Sequence, residues 1–293
     1  MRVDGAQLPA VAEPRATAPA RPFVKWVGGK GRLMSQLRPL LPDGVERMRH
    51  VEPFVGGGAM FFARQPCQAL LSDINPDLVH AYRCVRDDVA GVIAALAALA
   101  RAGHDPDTYY AARARYNAGE GRGTPLRAAL FIYLNKTCLN GLHRVNQRGK
   151  FNVPVGRYRN PAILDVAGLR AASVALQGVD VRCAPFDDVL ATVEAGDFVY
   201  LDPPYEPVSA TSSFTRYAPH GFTREDQVRL REAFAALVRR GAAVMLTNSD
   251  VPLVRALYAD YDVTPIHAAR AINVNPSRRG PVTELVVRAM GRS

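Results

Sequence analysis

Short apolar runs bounded by turn residues recur along the chain, at Met48–Val51, Ala69–Leu71, Val179–Cys183, Phe198–Leu201, Ala243–Leu246 and Leu285–Arg288. Runs of this length read as strands. Between them, apolar residues fall at helical spacing over Arg32–Leu41, Pro76–Arg86, Val89–Ala100, Arg224–Arg239 and Pro252–Ala259. Strands alternating with helices imply an α/β domain around a mainly parallel sheet. The rhythm breaks between about His104 and Gly178, so 104–178 reads as an insertion into a domain made of 22–103 and 179–293. Residues 1–21 are rich in Ala and Pro without periodicity and are expected to form a disordered tail. No internal repeat is present.

Composition narrows the class. With 293 residues, 48% of them hydrophobic and 22% charged, the chain can bury a real core and is neither a disordered nor a membrane protein. The Ala/Leu-rich stretch at Ala94–Ala100 is far too short to span a bilayer, and the N-terminus lacks the layout of a secretion signal, so a cytoplasmic location is expected. Cys67, Cys84, Cys138 and Cys183 lack the paired spacing of a zinc site or a disulfide framework and read as free thiols, with no metal expected.

Charge placement says more than its total of +10. Between Tyr110 and Asn160 lie ten basic residues against one acid, Glu120. A solvated face would explain some of this. A polyanion-binding surface explains it better, because Lys and Arg displace counterions from phosphates.

Four stretches carry candidate chemistry. In "VEPFVGGGAMFF", Val51 to Phe62, a strand runs into Gly56-Gly57-Gly58 and then a helix, letting the backbone approach a ligand at a strand end. Position 61 is Phe where a dinucleotide fingerprint needs its third glycine. In "LLSDINPDL", Asp73 follows a strand about 20 residues later, where a carboxylate can take ribose hydroxyls, while Asn75 is placed to cap the next helix. In "FVYLDPPYEP", two prolines strip two donors from the turn, leaving carbonyl acceptors beside Asp202 and the ring of Tyr205. An acid and a carbonyl together accept both hydrogens of an amino group, and Tyr205 can stack on the flat base that carries it. In "FVKWVGGKGRL", the sole tryptophan, Trp26, precedes a Gly-Gly-Lys turn that lacks the Walker spacing. It serves either core packing or stacking on an adenine.

Taken in chain order, "KWVGGK", "EPFVGGG", "SDIN" and "DPPY" resemble the successive motifs of the Dam family of adenine-N6 DNA methyltransferases. "NGLHRVNQRGKFNVPVGRY", Asn140 to Tyr158, is similar to that family's target-recognition hairpin, and "PVSATSSFTRY" and "SRRGPVTELVV" also fit. The resemblance implies a Rossmann-like, S-adenosylmethionine-dependent methyltransferase sheet, with 104–178 as an inserted, mostly helical DNA target-recognition domain carrying a β-hairpin. It implies a cofactor held by Trp26, Lys30, Glu52, Phe54, Gly56, Gly58 and Asp202, with Asp73 on the ribose and Phe186 at the adenine. Asp202 and the Pro203 carbonyl would grip the amino group of a flipped adenine and Tyr205 would stack on it.

For DNA, the resemblance assigns Arg144 to a guanine, Leu142 and Pro154 to a thymine methyl, and Lys25 with Tyr158 to the first guanine. This implies GATC as the site in double-stranded DNA. Asn140 would fill the gap left by the flipped base, and Asn146 and Arg157 belong to the same contact set. Leu139 stands where the family often has an aromatic wedge, and His143 and Val145 also depart from the pattern. A monomer is expected to suffice for an asymmetric hairpin contact, with a transient dimer on DNA as the other arrangement. The competing readings are a methyltransferase for another adenine site or another amine, such as cytosine N4, RNA adenine or a glutamine amide, and a DNA-binding relative without catalysis. A nicotinamide dehydrogenase is disfavoured by the glycine pattern and the basic segment.

Overall fold

The computed structural model describes residues 19–207, 222–268 and 282–291. Most of the expected tail, most of "PVSATSSFTRY" and the start of "SRRGPVTELVV" lie outside them. In chain order the elements are α1 (Met34–Leu37), β1 (His50–Glu52), α2 (Ala59–Arg64), β2 (Ala69–Asp73), α3 (Pro76–Asp87), α4 (Val89–Ala102), α5 (Pro106–Asn117), α6 (Pro125–Thr137) and α7 (Val166–Leu176). There follow β3 (Asp180–Cys183), α8 (Phe186–Leu190), β4 (Phe198–Leu201), α9 (Arg224–Arg239), β5 (Ala243–Ser249), α10 (Pro252–Leu257), β6 (Asp262–Ala268) and β7 (Val282–Met290).

The seven strands form one sheet in the order β3-β2-β1-β4-β5-β7-β6. β1 to β5 pair in parallel, and β7 runs antiparallel between β5 and β6. This is the Rossmann-like sheet of methyltransferases. The chain lays down β1 to β3 outward on one side, then returns to place β4 on the other side of β1. That reversal opens a crevice beyond the carboxyl ends of β1 and β4, where open α/β sheets bind ligands. The segments entering it are Pro53–Gly58, Ile74–Asn75 and Asp202–Tyr205.

Alternation along the strands divides the core. Val199 and Leu201 of β4 face Leu230, Phe234 and Leu237 of α9, while Phe198 and Tyr200 face Leu37 and Met60 on the other side. A third apolar cluster runs from Phe23 and Phe61 through Tyr82 and Leu96 to Phe131 and Tyr133. The helices of the 104–178 segment therefore share their core with α3 and α4.

Three elements differ from the sequence pattern. The expected helix over Arg32–Leu41 is broken into a 3-10 turn, α1 and a second 3-10 turn, and Pro39, which lacks a donor, lies in the second. Strand β6 was hidden by Pro265 in "DVTPIHA", which an edge strand tolerates. The expected hairpin over Asn140–Tyr158 closes through only two isolated bridges, Cys138 with Val155 and Val145 with Phe151. The side chain of Asn117 takes both the N–H and the C=O of Phe151, and Pro154 offers no donor, so no continuous ladder forms.

Candidate active site and recognition turn

The end of β4 is braced from every side. Asp202 lies one step beyond Leu201, whose register partner in β5 is Leu246, so Thr247 falls beside it. Thr247 donates to Asp202 Oδ1 at 2.7 Å and itself meets the Tyr200 hydroxyl at 3.2 Å. Lys30 Nζ reaches Asp202 Oδ1 at 2.7 Å and Oδ2 at 2.9 Å, and the Gly28 carbonyl at 2.5 Å. Lys30 is buried, so it is the carboxylate's counter-ion. Its ammonium also sits 4.7 Å from the centre of the Tyr205 ring. The Tyr205 hydroxyl donates to Glu284 Oε2 at 2.7 Å, and burial raises the pKa of both groups.

The two proline carbonyls are treated differently. Pro204 C=O accepts from Gln227 Nε2 at 3.1 Å, and Gln227 Oε1 accepts from Asn248 Nδ2 at 3.0 Å. Asn248 Oδ1 in turn takes the Glu206 N–H at 3.3 Å. Among the described residues no donor reaches the Pro203 carbonyl. Asp202 keeps a free lone pair on Oδ2, so the turn presents one carboxylate acceptor and one carbonyl acceptor at the mouth of the crevice.

The glycine turn after β1 is fixed by close contacts. Gly56 has φ +46°, and a Cβ there would fall 2.5 Å from Trp26 Cδ1, so the indole lies directly on it. Gly58, at φ +69°, lies against the Tyr82 hydroxyl in the same way. Tyr82 donates to the Gly56 carbonyl at 3.1 Å, and the Gly56 N–H donates to Asp73 Oδ2 at 3.1 Å. Asp73 is therefore not wholly free, since its Oδ1 also takes the Asn75 N–H at 2.9 Å. Burial pushes its pKa up to about 6 against those hydrogen bonds. Asn75 caps α3 as its sequence position implies, with Oδ1 accepting from Asp77 and Leu78 N–H.

Two expected cofactor residues are buried at the crevice. Glu52 is fully buried against His50 Nε2 at 2.8 Å, its pKa raised well above the usual range by burial. Phe186 is buried beside Phe54 at 5.4 Å and Phe222 at 6.0 Å, so these rings form a wall of the crevice.

The residues expected to read DNA gather around one turn. Asn140 and Gly141 both adopt left-handed backbone, at φ 56° and 65°, and Leu142 N–H closes on Leu139 C=O at 3.2 Å. That is the type I′ geometry favoured by Asn-Gly. Leu139 and Asn140 are exposed, while Leu142 is half-buried against the core. Arg144 is exposed and oriented by Asn152, whose Oδ1 accepts from Nε at 2.8 Å. Asn146 spends its Oδ1 on Arg148 and Lys150 N–H, each at 3.0 Å, closing the tip of the loop. Lys25 Nζ lies 4.1 Å from the Tyr158 ring centre. Pro154 and Arg157 are exposed on the returning segment.

The basic segment is partly internal. Arg127 is buried, paired to Asp77 at 2.9 Å and stacked 3.5 Å from the Tyr116 ring, and Arg115 is paired to Glu120 at 2.7 Å. Arg144, Arg148, Lys150, Arg157 and Arg159 remain exposed.

Sequence reasoning missed Asn135, Thr247, Gln227 and Glu284. Asn135 exchanges both backbone hydrogen bonds with Lys25 at 2.7 Å and donates to Gly141 C=O at 3.2 Å, tying the N-terminal motif to the Asn-Gly turn. The run Thr247-Asn248-Ser249 did carry a signal. Three polar residues ending an apolar strand are all buried at the crevice.

The sheet order and the acceptor pair beyond β4 are what a methyltransferase of amino groups is expected to present. The sequence pattern of the D12 class N6 adenine-specific DNA methyltransferases matches residues 26–272, and the chain belongs to that class. It is 40% identical over 278 residues to the Type II methyltransferase M1.LlaDCHI of Lactococcus lactis subsp. cremoris, covering 92% of this chain and 96% of that one. It is 40% identical over 274 residues to the Type II methyltransferase M.MjaIII of Methanocaldococcus jannaschii, covering 88% and 95%. To the DNA adenine methylase of Escherichia coli K12 it is 37% identical over 272 residues, covering 91% and 94%.

Proposed function

We propose that the chain transfers a methyl group from S-adenosylmethionine to N6 of an adenine flipped out of duplex DNA, within GATC. The observation that carries this reading is the acceptor pair, Asp202 Oδ2 and the Pro203 carbonyl, left open at the crevice while the Pro204 carbonyl is occupied by Gln227. An exocyclic amine has two hydrogens. Accepting both turns its lone pair out of conjugation with the ring and toward an electrophile. The reacting nitrogen lies inside the stacked duplex, so the base must leave it.

The crevice fits the cofactor. Ile74 is 60% exposed directly beside Asp73, an apolar face next to a carboxylate, as a nucleoside requires. Asp73 would take the ribose, the Phe54 and Phe186 wall and Ile74 the adenine, and Trp26 with Gly56 and Gly58 would shape the floor. Bound there, S-adenosylmethionine supplies an electrophilic methyl on a sulfonium. Lys30 serves the site by fixing Asp202, and Glu52 by filling the base of the crevice. The methylated nitrogen sheds one proton, which Asp202 is placed to receive. Catalysis is by positioning and electrostatics.

The segment 104–178 would read DNA, with 22–103 and 179–293 forming the catalytic unit. Arg144, held by Asn152, would pair with guanine, Leu142 and Pro154 would meet a thymine methyl, and Lys25 with Tyr158 would read the first guanine. Leu139 and Asn140, exposed at the type I′ turn, would enter the stack and fill the vacated space. Asn146 would support the loop tip and Arg157 a phosphate. One protomer per site suffices.

The test is single-molecule methylation sequencing of DNA from a host lacking adenine methylation that expresses the chain. N6-methyladenine in GATC is expected. Modified adenine in another motif would reject the site, and its absence everywhere would reject the reaction.

A further inference from the structure

His143 stands between the two halves of the proposed site. Its neighbours Leu142 and Arg144 belong to the recognition turn, while its own side chain is buried, pointing the other way. There it stacks on Trp26, with ring centres 6.0 Å apart and planes 21° from parallel, and packs against Phe131 and Phe151. Its Nδ1 lies 3.2 Å from Asn75 Nδ2.

The hydrogen bonds fix the direction of that contact. Asn75 Oδ1 already accepts from two backbone N–H groups as the cap of α3, so the other amide atom is the donor. His143 Nδ1 must then be the acceptor, which places the proton on Nε2. That N–H is buried and meets no partner among the described residues. A buried unpaired donor opposes stability, so an apolar ring would serve packing better. What imidazole adds is the acceptor for Asn75.

Both contacts of His143 belong to the crevice. Trp26 lies on Gly56, and the Asn75 N–H is held by Asp73. We propose that His143 is the positioning residue through which occupancy of the cofactor crevice sets the register of the recognition turn. The inference rests on the DNA-reading role proposed above for Leu142 and Arg144. A ligand that immobilises Trp26 and Asp73 immobilises both surfaces on which His143 rests. One residue of backbone then separates this anchor from each reading side chain. By linkage the effect is mutual, and the correct duplex must tighten cofactor binding by the same factor.

The test measures that factor directly. The affinity for a GATC duplex and for a scrambled duplex is titrated with and without S-adenosylhomocysteine, and the affinity for S-adenosylhomocysteine is followed through Trp26, the only tryptophan. The full chain is expected to bind the GATC duplex at least about fivefold more tightly in the presence of S-adenosylhomocysteine, with little change for the scrambled duplex. Two variants break the same bond from opposite sides. His143→Phe keeps a ring and removes the acceptor, while Asn75→Ser keeps a helix cap and removes the donor.

Each variant is expected to bring the factor close to one, and the double variant to do no more than either single one. A structural role alone would alter melting without this pattern. Coupling that survives in either folded variant, or is missing from the unaltered chain, overturns the inference. An unaltered chain that methylates no adenine fails the proposed function instead, and the inference falls with it. Methylation with intact coupling in the variants sinks only the inference.

Discussion

Gln227, fully buried on α9, donates to the Pro204 carbonyl at 3.1 Å and accepts from Asn248 at 3.0 Å. One amide therefore occupies one of two adjacent proline carbonyls and leaves the other open for the proposed substrate. Gln227→Met keeps the volume and removes both bonds. Turnover is expected to fall about tenfold to a hundredfold through misplacement of the Pro203 carbonyl, with the affinity for S-adenosylhomocysteine unchanged. A drop in that affinity with turnover retained would show that the amide serves the cofactor side instead.

Asp202 is paired to Lys30 and, under the proposed function, also holds the substrate. Asp202→Ala leaves a buried ammonium without its partner, at a cost of about 3–5 kcal/mol, so lost activity in that variant could reflect lost fold. Asp202→Asn keeps an acceptor and the shape of the turn. Methyl transfer by a folded Asp202→Asn chain is expected to fall at least about a hundredfold, read by radiolabel incorporation beside a melting curve. Near-normal turnover would reject the clamp.

Arg144 is aimed by Asn152, so in the proposed readout the pair acts as one device. Arg144→Ala is expected to relax discrimination at one base pair by about 1–3 kcal/mol. Asn152→Ala should act at that same base pair by a smaller amount. The check is methylation rate across all single-base variants of GATC, and an unchanged ranking removes Arg144 from the readout.

Asp73 gives a pH dependence of definite sign. Burial raises its pKa to about 6 from an ordinary value near 3.9. The ionised form is the stronger acceptor for ribose hydroxyls, so affinity for S-adenosylhomocysteine should be level above about pH 7 and weaken as pH falls through 6. Its contribution to the stability of the unliganded chain runs the other way. That contribution is complete below the unfolded pKa and is lost as pH rises through about 6. Calorimetric titration from pH 5 to 8 tests the first part, and Asp73→Asn should flatten the profile.

Arginines of the basic segment should separate into two classes. Arg127→Ala breaks a buried pair with Asp77 and is expected to cost about 3 kcal/mol of stability, without altering how DNA affinity depends on salt. Arg148→Ala should leave the melting point alone and lower the slope of log affinity against log salt by about one. Equal slopes in the two variants would mean that Arg148 meets no phosphate.

This division shows where the sequence could and could not be read. The strand-end motifs were legible because glycine, proline and an acid at a strand terminus each have a local physical meaning. Asp73 and Asn75 fell where their spacing placed them, and α9 begins and ends at its predicted residues. The burial of Glu52 was not legible, because its partner His50 lies two residues away on the same strand and the motif alone does not show that the pair faces inward. Asn135, Gln227 and Glu284 were invisible because each acts on a residue at least 20 positions distant in the chain. The basic count was read as one surface because sequence does not show which arginines have a carboxylate across the fold.

The two outer strands of the sheet have a consequence for the molecule in a crowded cell. β3 ends the sheet on one side with Asp180 and Arg182, paired to each other at 2.5 Å. β6 ends it on the other with Pro265, which offers no hydrogen at the middle of the strand. Charge at one margin and proline at the other make both poor templates for a neighbouring chain. Self-association by strand addition is thereby discouraged at both borders, even though the parallel centre of the sheet is almost wholly buried.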